Sequence, residues 1–236
     1  MICLVDERIS DKCLSALRAE GFYVVKMPPY TKLSSPVASH PDMLAFVHGS
    51  NMISSEDYRR KNPAVFDEIK AHSKNLNIIF TDDVFSKEYP RDALFNVLTV
   101  GDYAFLNKNT VSAEVLNYLT ECGLRIVHVN QGYPACTVLA FAKSALTADK
   151  GMKRALAESG FTVTEVSDGS VSLPPYKYGF IGGACGVFLN KIYFLGDLKS
   201  HTDAAKIEAA ITADGFVPIS LSDEPLADLG RIIFID

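Results

Sequence analysis

Tryptophan is absent, histidine occurs only five times, and the 23 basic residues are outnumbered by 28 acidic ones. The net charge of −5 excludes the basic footprint that a nucleic-acid binder carries. No apolar run approaches the roughly 20 residues that span a bilayer. The opening MICLVDER turns acidic too soon for a secretory signal, so neither a membrane partner nor export is expected. The five cysteines are odd in number, widely spaced and free of any C-x-x-C pair. That excludes a disulfide framework and fits free thiols in the cytoplasm. No cofactor and no metal is expected, since no His/Cys ligand spacing appears. Gly179-x-x-Gly182-Gly183-x-x-Gly186 has the glycines of a dinucleotide loop but leads into a strand. It therefore offers no helix N-terminus to a pyrophosphate. Ser170 and Ser172 lack the surroundings of a nucleophile elbow.

What is present is a globular composition, 48% hydrophobic and 22% charged, over 236 residues, read as a single domain. The most informative stretch is Leu124–Asp149. A short apolar strand, Arg125–Val129, gives way to a loop with Gly132 and Pro134. Two apolar runs, Thr137–Phe141 and Ser144–Thr147, then lead into a helix from Asp149 to Ser159. The same plan recurs. Helices are expected over Asp11–Glu20 (capped by Ser10), Ser112–Cys122 and from a Ser200-x-x-Asp203 capping box to Ala213. Another starts at Ser54-x-x-Asp57, breaks at Pro63 and resumes to His72. Four helix ends read alike: Gly21-Phe22-Tyr23-Val24, Gly123-Leu124-Arg125-Ile126, Gly160-Phe161-Thr162-Val163 and Gly215-Phe216-Val217-Pro218. Asn75-Leu76-Asn77-Ile78 takes that place in the second unit.

Inner strands are expected over Met43–Val47, Ala93–Leu98, Thr137–Phe141, Gly179–Cys185 and Arg231–Ile235. Repeats at about 40–55 residues point to units of strand, strand, helix and strand arranged about a centre. The last unit ends on a lone strand, Arg231–Ile235, and the first begins with one, Ile2–Val5. Their pairing would close the set without an exposed edge.

Five such units resemble the pentein fold, the α/β propeller of the guanidine-modifying enzymes: arginine deiminases, dimethylarginine dimethylaminohydrolases and amidinotransferases. The ribosome anti-association factor of archaea and eukaryotes is similar too. Gly21-Phe-Tyr-Val-Val-Lys-Met-Pro followed by Pro41-Asp42-Met-Leu-Ala-Phe-Val looks like the first unit of the dimethylarginine hydrolases. Arg91-Asp92-Ala-Leu-Phe-Asn-Val looks like their second. The resemblance implies that Asp42 and Asp92 help to hold a substrate. It also implies a histidine in the third unit and a cysteine nucleophile in the last. Those places here are Tyr133 and either Gly230 or Arg231. The usual Cys/His pair is therefore expected to be missing.

The loops ahead of the inner strands carry the candidate site. Cys136 and Cys185 fall at corresponding points of adjacent units, with Cys185 the first candidate for a relocated nucleophile and Cys136 the second. Free cysteines are more often small, buried, inert residues. His40, beside Pro41-Asp42, is the candidate proton shuttle. Asp42, Asp92 and Asp228 each lead an inner strand, where an aspartate either caps its own loop or grips a cation. Tyr133, Tyr176 and Tyr178 are candidates for a pocket mouth, and His72 and His201 are expected at the surface. Three functions fit: a binder of a small polar or cationic molecule, an amidino-processing enzyme with a relocated cysteine, and an interaction protein using the outside of the ring. The first is preferred, with a small-molecule partner and the oligomeric state left open.

Overall fold

The computed structural model describes residues 1–235. β1 (Ile2–Asp6), α1 (Asp11–Ala19) and β2 (Tyr23–Met27) open the chain. They are followed by α2 (Pro41–Leu44), β3 (Ala45–His48), β4 (Asn51–Ser55), α3 (Glu56–Lys61), α4 (Pro63–His72) and β5 (Asn77–Thr81). The third group is β6 (Leu98–Val100), β7 (Tyr103–Leu106), α5 (Ala113–Glu121) and β8 (Arg125–His128). The fourth is α6 (Pro134–Thr137), β9 (Val138–Phe141), β10 (Ser144–Thr147), α7 (Lys150–Glu158) and β11 (Thr162–Glu165). The last is β12 (Cys185–Phe188), β13 (Lys191–Phe194), α8 (Ala204–Ala213), β14 (Val217–Ser220) and β15 (Ile233–Ile235).

These strands form five three-stranded sheets of one design. A middle strand pairs antiparallel with the strand before it and parallel with the strand that returns after the helix, as β4 does with β3 and β5. The fifth sheet joins the two ends of the chain. β1 pairs antiparallel with β15, Ile2 opposite Ile235 and Leu4 opposite Ile233, and parallel with β2. The lone first and last strands thus complete each other, the pairing expected from the sequence. The five-unit, pentein-like repeat expected from the sequence is present.

The middle strands read as near-continuous apolar runs because they are covered on both faces; every residue of β1 and β10 is buried. The helices bury one stripe each, Leu14 and Leu17 in α1, Val115 and Leu119 in α5, Met152 and Leu156 in α7, Ile207 and Ile211 in α8. The four helix-ending glycines adopt positive φ, from 73° at Gly123 to 90° at Gly21, the left-handed conformation that terminates a helix. The turn into the middle strand repeats as well: its first residue has positive φ at Gly49, Gly101, Ala142 and Leu189. Along the inner edge β6 packs on β9, β9 on β12, and β12 on β15. Among the described residues no helix is long and apolar enough to cross a membrane.

Several boundaries differ from the sequence expectation. The inner strand of the last full unit is Cys185–Phe188, not Gly179–Cys185, because Gly182–Ala184 forms a 3-10 turn. The second unit's helix is capped by Ser55, which accepts from the Tyr58 N–H, while the Ser54 hydroxyl is drawn to the Leu44 carbonyl. α8 starts after Asp203, and Ser200 closes a separate 3-10 turn.

Candidate functional site

In unit after unit, the residues just ahead of the inner strand converge on one place. α2 and α6 are single helical turns, each opened by a proline whose missing N–H costs nothing at that position. His40 and Tyr133 precede those prolines, and Asp42 and Cys136 follow them. Asp92 and Asn96 stand ahead of β6, and Asp228 ahead of β15. A cavity of about 340 Å³ lies over them, lined among others by His40, Asp92, Tyr133, Cys136, Tyr176 and Asp228. The other lining residues are Ser34, Val37, Met43, Gln131, Leu173, Tyr178 and Phe180, so no lysine or arginine faces it. Beneath lies a smaller cavity of about 140 Å³, lined by Asp42, Thr99, Arg231 and the inner strands.

The floor between the two cavities is polar and closely packed. The Cys136 thiol donates to Asp42 Oδ2 at 2.8 Å and accepts from Asn96 Nδ2 at 3.1 Å. Asn96 in turn accepts from the Ala135 N–H at 2.9 Å, which fixes its amide. Asp228 accepts from the Phe180 N–H at 2.9 Å and the Gly230 N–H at 3.1 Å. His40 stands between carboxylates, Nε2 3.8 Å from Asp6 and Nδ1 4.0 Å from Asp228, with neither nitrogen hydrogen-bonded. Asp42 Oδ1 and Asp92 Oδ1 also lack partners. Asp6 is held by Arg8, whose Nε lies 2.9 Å from Oδ1 and whose guanidinium also reaches the Pro36 carbonyl. At the rim the Tyr133 hydroxyl donates to Asp92 Oδ2 at 2.7 Å.

Burial governs the charge states. It pushes the Asp228 carboxyl up to about 7, with its two N–H donors opposing and the Asp42 charge adding. It pushes His40 down to about 4, leaving a neutral imidazole at neutral pH. Asp42 and Asp92 are raised for the same reason. The Cys136 thiol is raised well above the ordinary range, first by burial and then by the charges of Asp42 and Asp228. At rest Cys136 is therefore a thiol hydrogen-bonded to Asp42, not a thiolate.

Cys136, His40, Asp42, Asp92, Asp228 and Tyr133 are thus brought together. Cys185, the first candidate from sequence, is not: its thiol donates back to the Ile181 carbonyl at 3.2 Å and faces neither cavity. Gly182–Ala184 supplies the turn at that point of its unit, so the thiol is turned into the core. Tyr176 and Tyr178 do line the mouth. His201, expected at the surface, is 3% exposed and accepts from the Asp203 N–H. Asn96 and Asp6 were missed. Asn96 lies four residues after Asp92, and only the contact with a cysteine 40 residues away gives it a role.

The five-unit fold is that of the pentein class. A dimethylarginine dimethylaminohydrolase superposes with TM-score 0.58 at 11% identity, covering 94% of this chain and 92% of the other. The agmatine deiminase of C. jejuni gives 0.59 at 9% identity, covering 94% and 87%. The inosamine-phosphate amidinotransferase of Streptomyces griseus gives 0.57 at 12% identity, covering 94% and 77%. At such identities the likeness is one of fold. Curated protein sequences give no match. A family model does, over residues 4–233: the chain belongs to DUF6873, described as a family of unknown function.

Proposed function

We propose that this protein binds a small organic cation, of guanidinium, amidinium or amine type, in the cavity between its inner-strand loops. One observation carries this reading. Two buried carboxyls from different units, Asp92 and Asp228, line a cavity with no basic lining residue; a third, Asp42, lies in its floor against the Cys136 thiol, and Asp42 and Asp92 each keep an unpartnered oxygen. A carboxylate oxygen buried without a donor is costly, and a cation bearing N–H groups removes that cost. Tyr133, Tyr176, Tyr178 and Phe180 add aromatic faces suited to a cation. The soluble-enzyme folds it resembles and five free cysteines support a cytoplasmic setting. The test is a thermal-shift and calorimetric screen of guanidino, amidino and amino compounds in the presence of a metal chelator. The reading expects at least one class to bind wild type and to lose affinity in Asp228→Asn. A screen in which no cation shifts the wild-type protein overturns it.

The Cys136–Asp42 contact favours a second reading, an amidino-processing enzyme. A cation seated on Asp42 relieves the thiol of the neighbouring negative charge and eases its ionisation. The sulfur would attack the amidino carbon, the C–N bond to the amine would break, and the thiol proton would leave on that amine with neutral His40 at hand to relay it. Water would then cleave the C–S bond to give the ureido product and restore the thiol. Amine release from a ligand found in the screen, abolished in Cys136→Ala, tests it. Binding without amine release leaves the first reading.

A further inference from the structure

We infer that the cavity floor is also a site for one divalent transition-metal ion, zinc by its donor set, held by His40, Asp42 and Cys136. Their candidate ligand atoms lie within 4.8 Å of one another. One soft sulfur, one imidazole nitrogen and one carboxylate oxygen make a zinc-type set, and two of the three are anionic once the thiol proton has left to solvent. The second observation is independent of the cluster's composition. His40 is 1% exposed, lines the cavity, and has both ring nitrogens unpartnered, and Asp42 Oδ1 is unpartnered as well. A neutral imidazole buried with its N–H unbonded is among the less favourable things a core can hold. A metal on one nitrogen satisfies it. Whichever nitrogen ligates, the other faces a carboxylate, Asp6 at 3.8 Å or Asp228 at 4.0 Å, the outer partner that ligating histidines generally have. Three protein donors leave a coordination position open toward the cavity.

Local spacing in the sequence could not reveal this set, because its donors come from units 94 residues apart. The inference stands without the organic-cation reading. Where both hold, the metal and the organic cation compete for Asp42.

The test uses the full chain, stripped with a chelator and titrated with Co²⁺ in the absence of organic ligands. The inference expects one Co²⁺ per chain, a thiolate-to-cobalt charge-transfer band, and displacement by one equivalent of Zn²⁺. The band should vanish in Cys136→Ala and persist in Cys185→Ala, and His40→Ala should weaken affinity by at least about tenfold while circular dichroism stays unchanged. Absence of the band in wild type, its persistence in Cys136→Ala, or its loss from a folded Cys185→Ala chain overturns the inference. The cation screen is run in chelator, so either reading can fail alone.

Discussion

The thiol of Cys136 lies 2.8 Å from Oδ2 of Asp42, a residue 94 positions earlier in the chain, and donates its hydrogen to it. The contact joins two short proline-opened helices of different units and adds to the burial that keeps the sulfur protonated. Removing the carboxylate charge should therefore make the thiol more acidic. In Asp42→Asn, the pH midpoint for alkylation of Cys136 by iodoacetamide is expected to fall by about one unit or more, roughly tenfold in rate at fixed pH. A midpoint that stays put would separate the thiol's behaviour from Asp42.

Asp228 should give cation binding a pH dependence. Its carboxyl holds a proton below about 7 in the unliganded protein, and the bound cation favours the ionised form. Affinity for an amidinium is expected to rise as pH increases through about 7, with proton release detectable by calorimetry in buffers of different ionisation enthalpy. Asp228→Asn should flatten the profile. An affinity independent of pH in wild type would place the cation elsewhere.

His40 should weaken the fold in acid. Its folded pKa of about 4 lies below the ordinary 6.5, so the stability it confers is full above 6.5 and is lost as pH falls toward 4. Asp228 works in the opposite sense, since its raised pKa favours the fold at low pH and that benefit is lost as pH rises from 3.8 to about 7. The net wild-type profile mixes the two, and the variant isolates one. Between pH 6.5 and 4, wild type should lose up to about 3 kcal/mol relative to His40→Gln, read from urea unfolding at each pH. Parallel profiles for the two proteins would contradict this.

Two glycines let the site close. A Cβ on Gly230 would sit 2.2 Å from His40 Cβ, at a backbone φ of 66°. A Cβ on Gly183 would sit 2.5 Å from Asp228 Cγ. Each glycine-to-alanine change is expected to cost about 2–4 kcal/mol in urea unfolding. Gly230→Ala should also displace His40. A change within about 0.5 kcal/mol at either position would mean that the loops yield freely.

Joining the chain ends should matter to stability as much as any internal contact. Deleting residues from Ile233 onward leaves β1 with one free edge and uncovers Leu4, Val25 and their neighbours. The truncated chain is expected to unfold at lower urea by several kcal/mol and to aggregate with rising concentration. A truncated monomer as stable as wild type would show that the β1–β15 pair is dispensable.

The sequence disclosed the repeat because its signals are local: a glycine after each of four helices, an apolar middle strand, and a lone strand at either end. It pointed to Asp42, Asp92, Asp228 and Cys136 as candidates because each leads an inner strand, the place the repeat itself singles out. It offered Cys185 and Cys136 alike, because both fall at corresponding points of adjacent units, and glycines surround Cys185. Those glycines serve close packing: Gly182 lies against the carbonyls of Ala135 and Val138, and Gly186 against that of Ile232. Asn96 and Asp6 were not legible, since their roles rest on contacts with residues from other units. Neither was the isolation of His40, a property of what surrounds it rather than of its neighbours in the chain.

The central claim is that the Cys136 cavity attracts organic cations. Its most direct test is to alkylate the chelator-treated protein with chloroacetamidine and with its neutral counterpart chloroacetamide, mapping the labelled cysteine by mass spectrometry and normalising each rate to free cysteine. Cys136 is expected to react with the amidine at least about tenfold faster than with the amide, an attraction of about 1.4 kcal/mol, with Cys185 unlabelled. Equal normalised rates at Cys136, or labelling at Cys185 in its place, would contradict it.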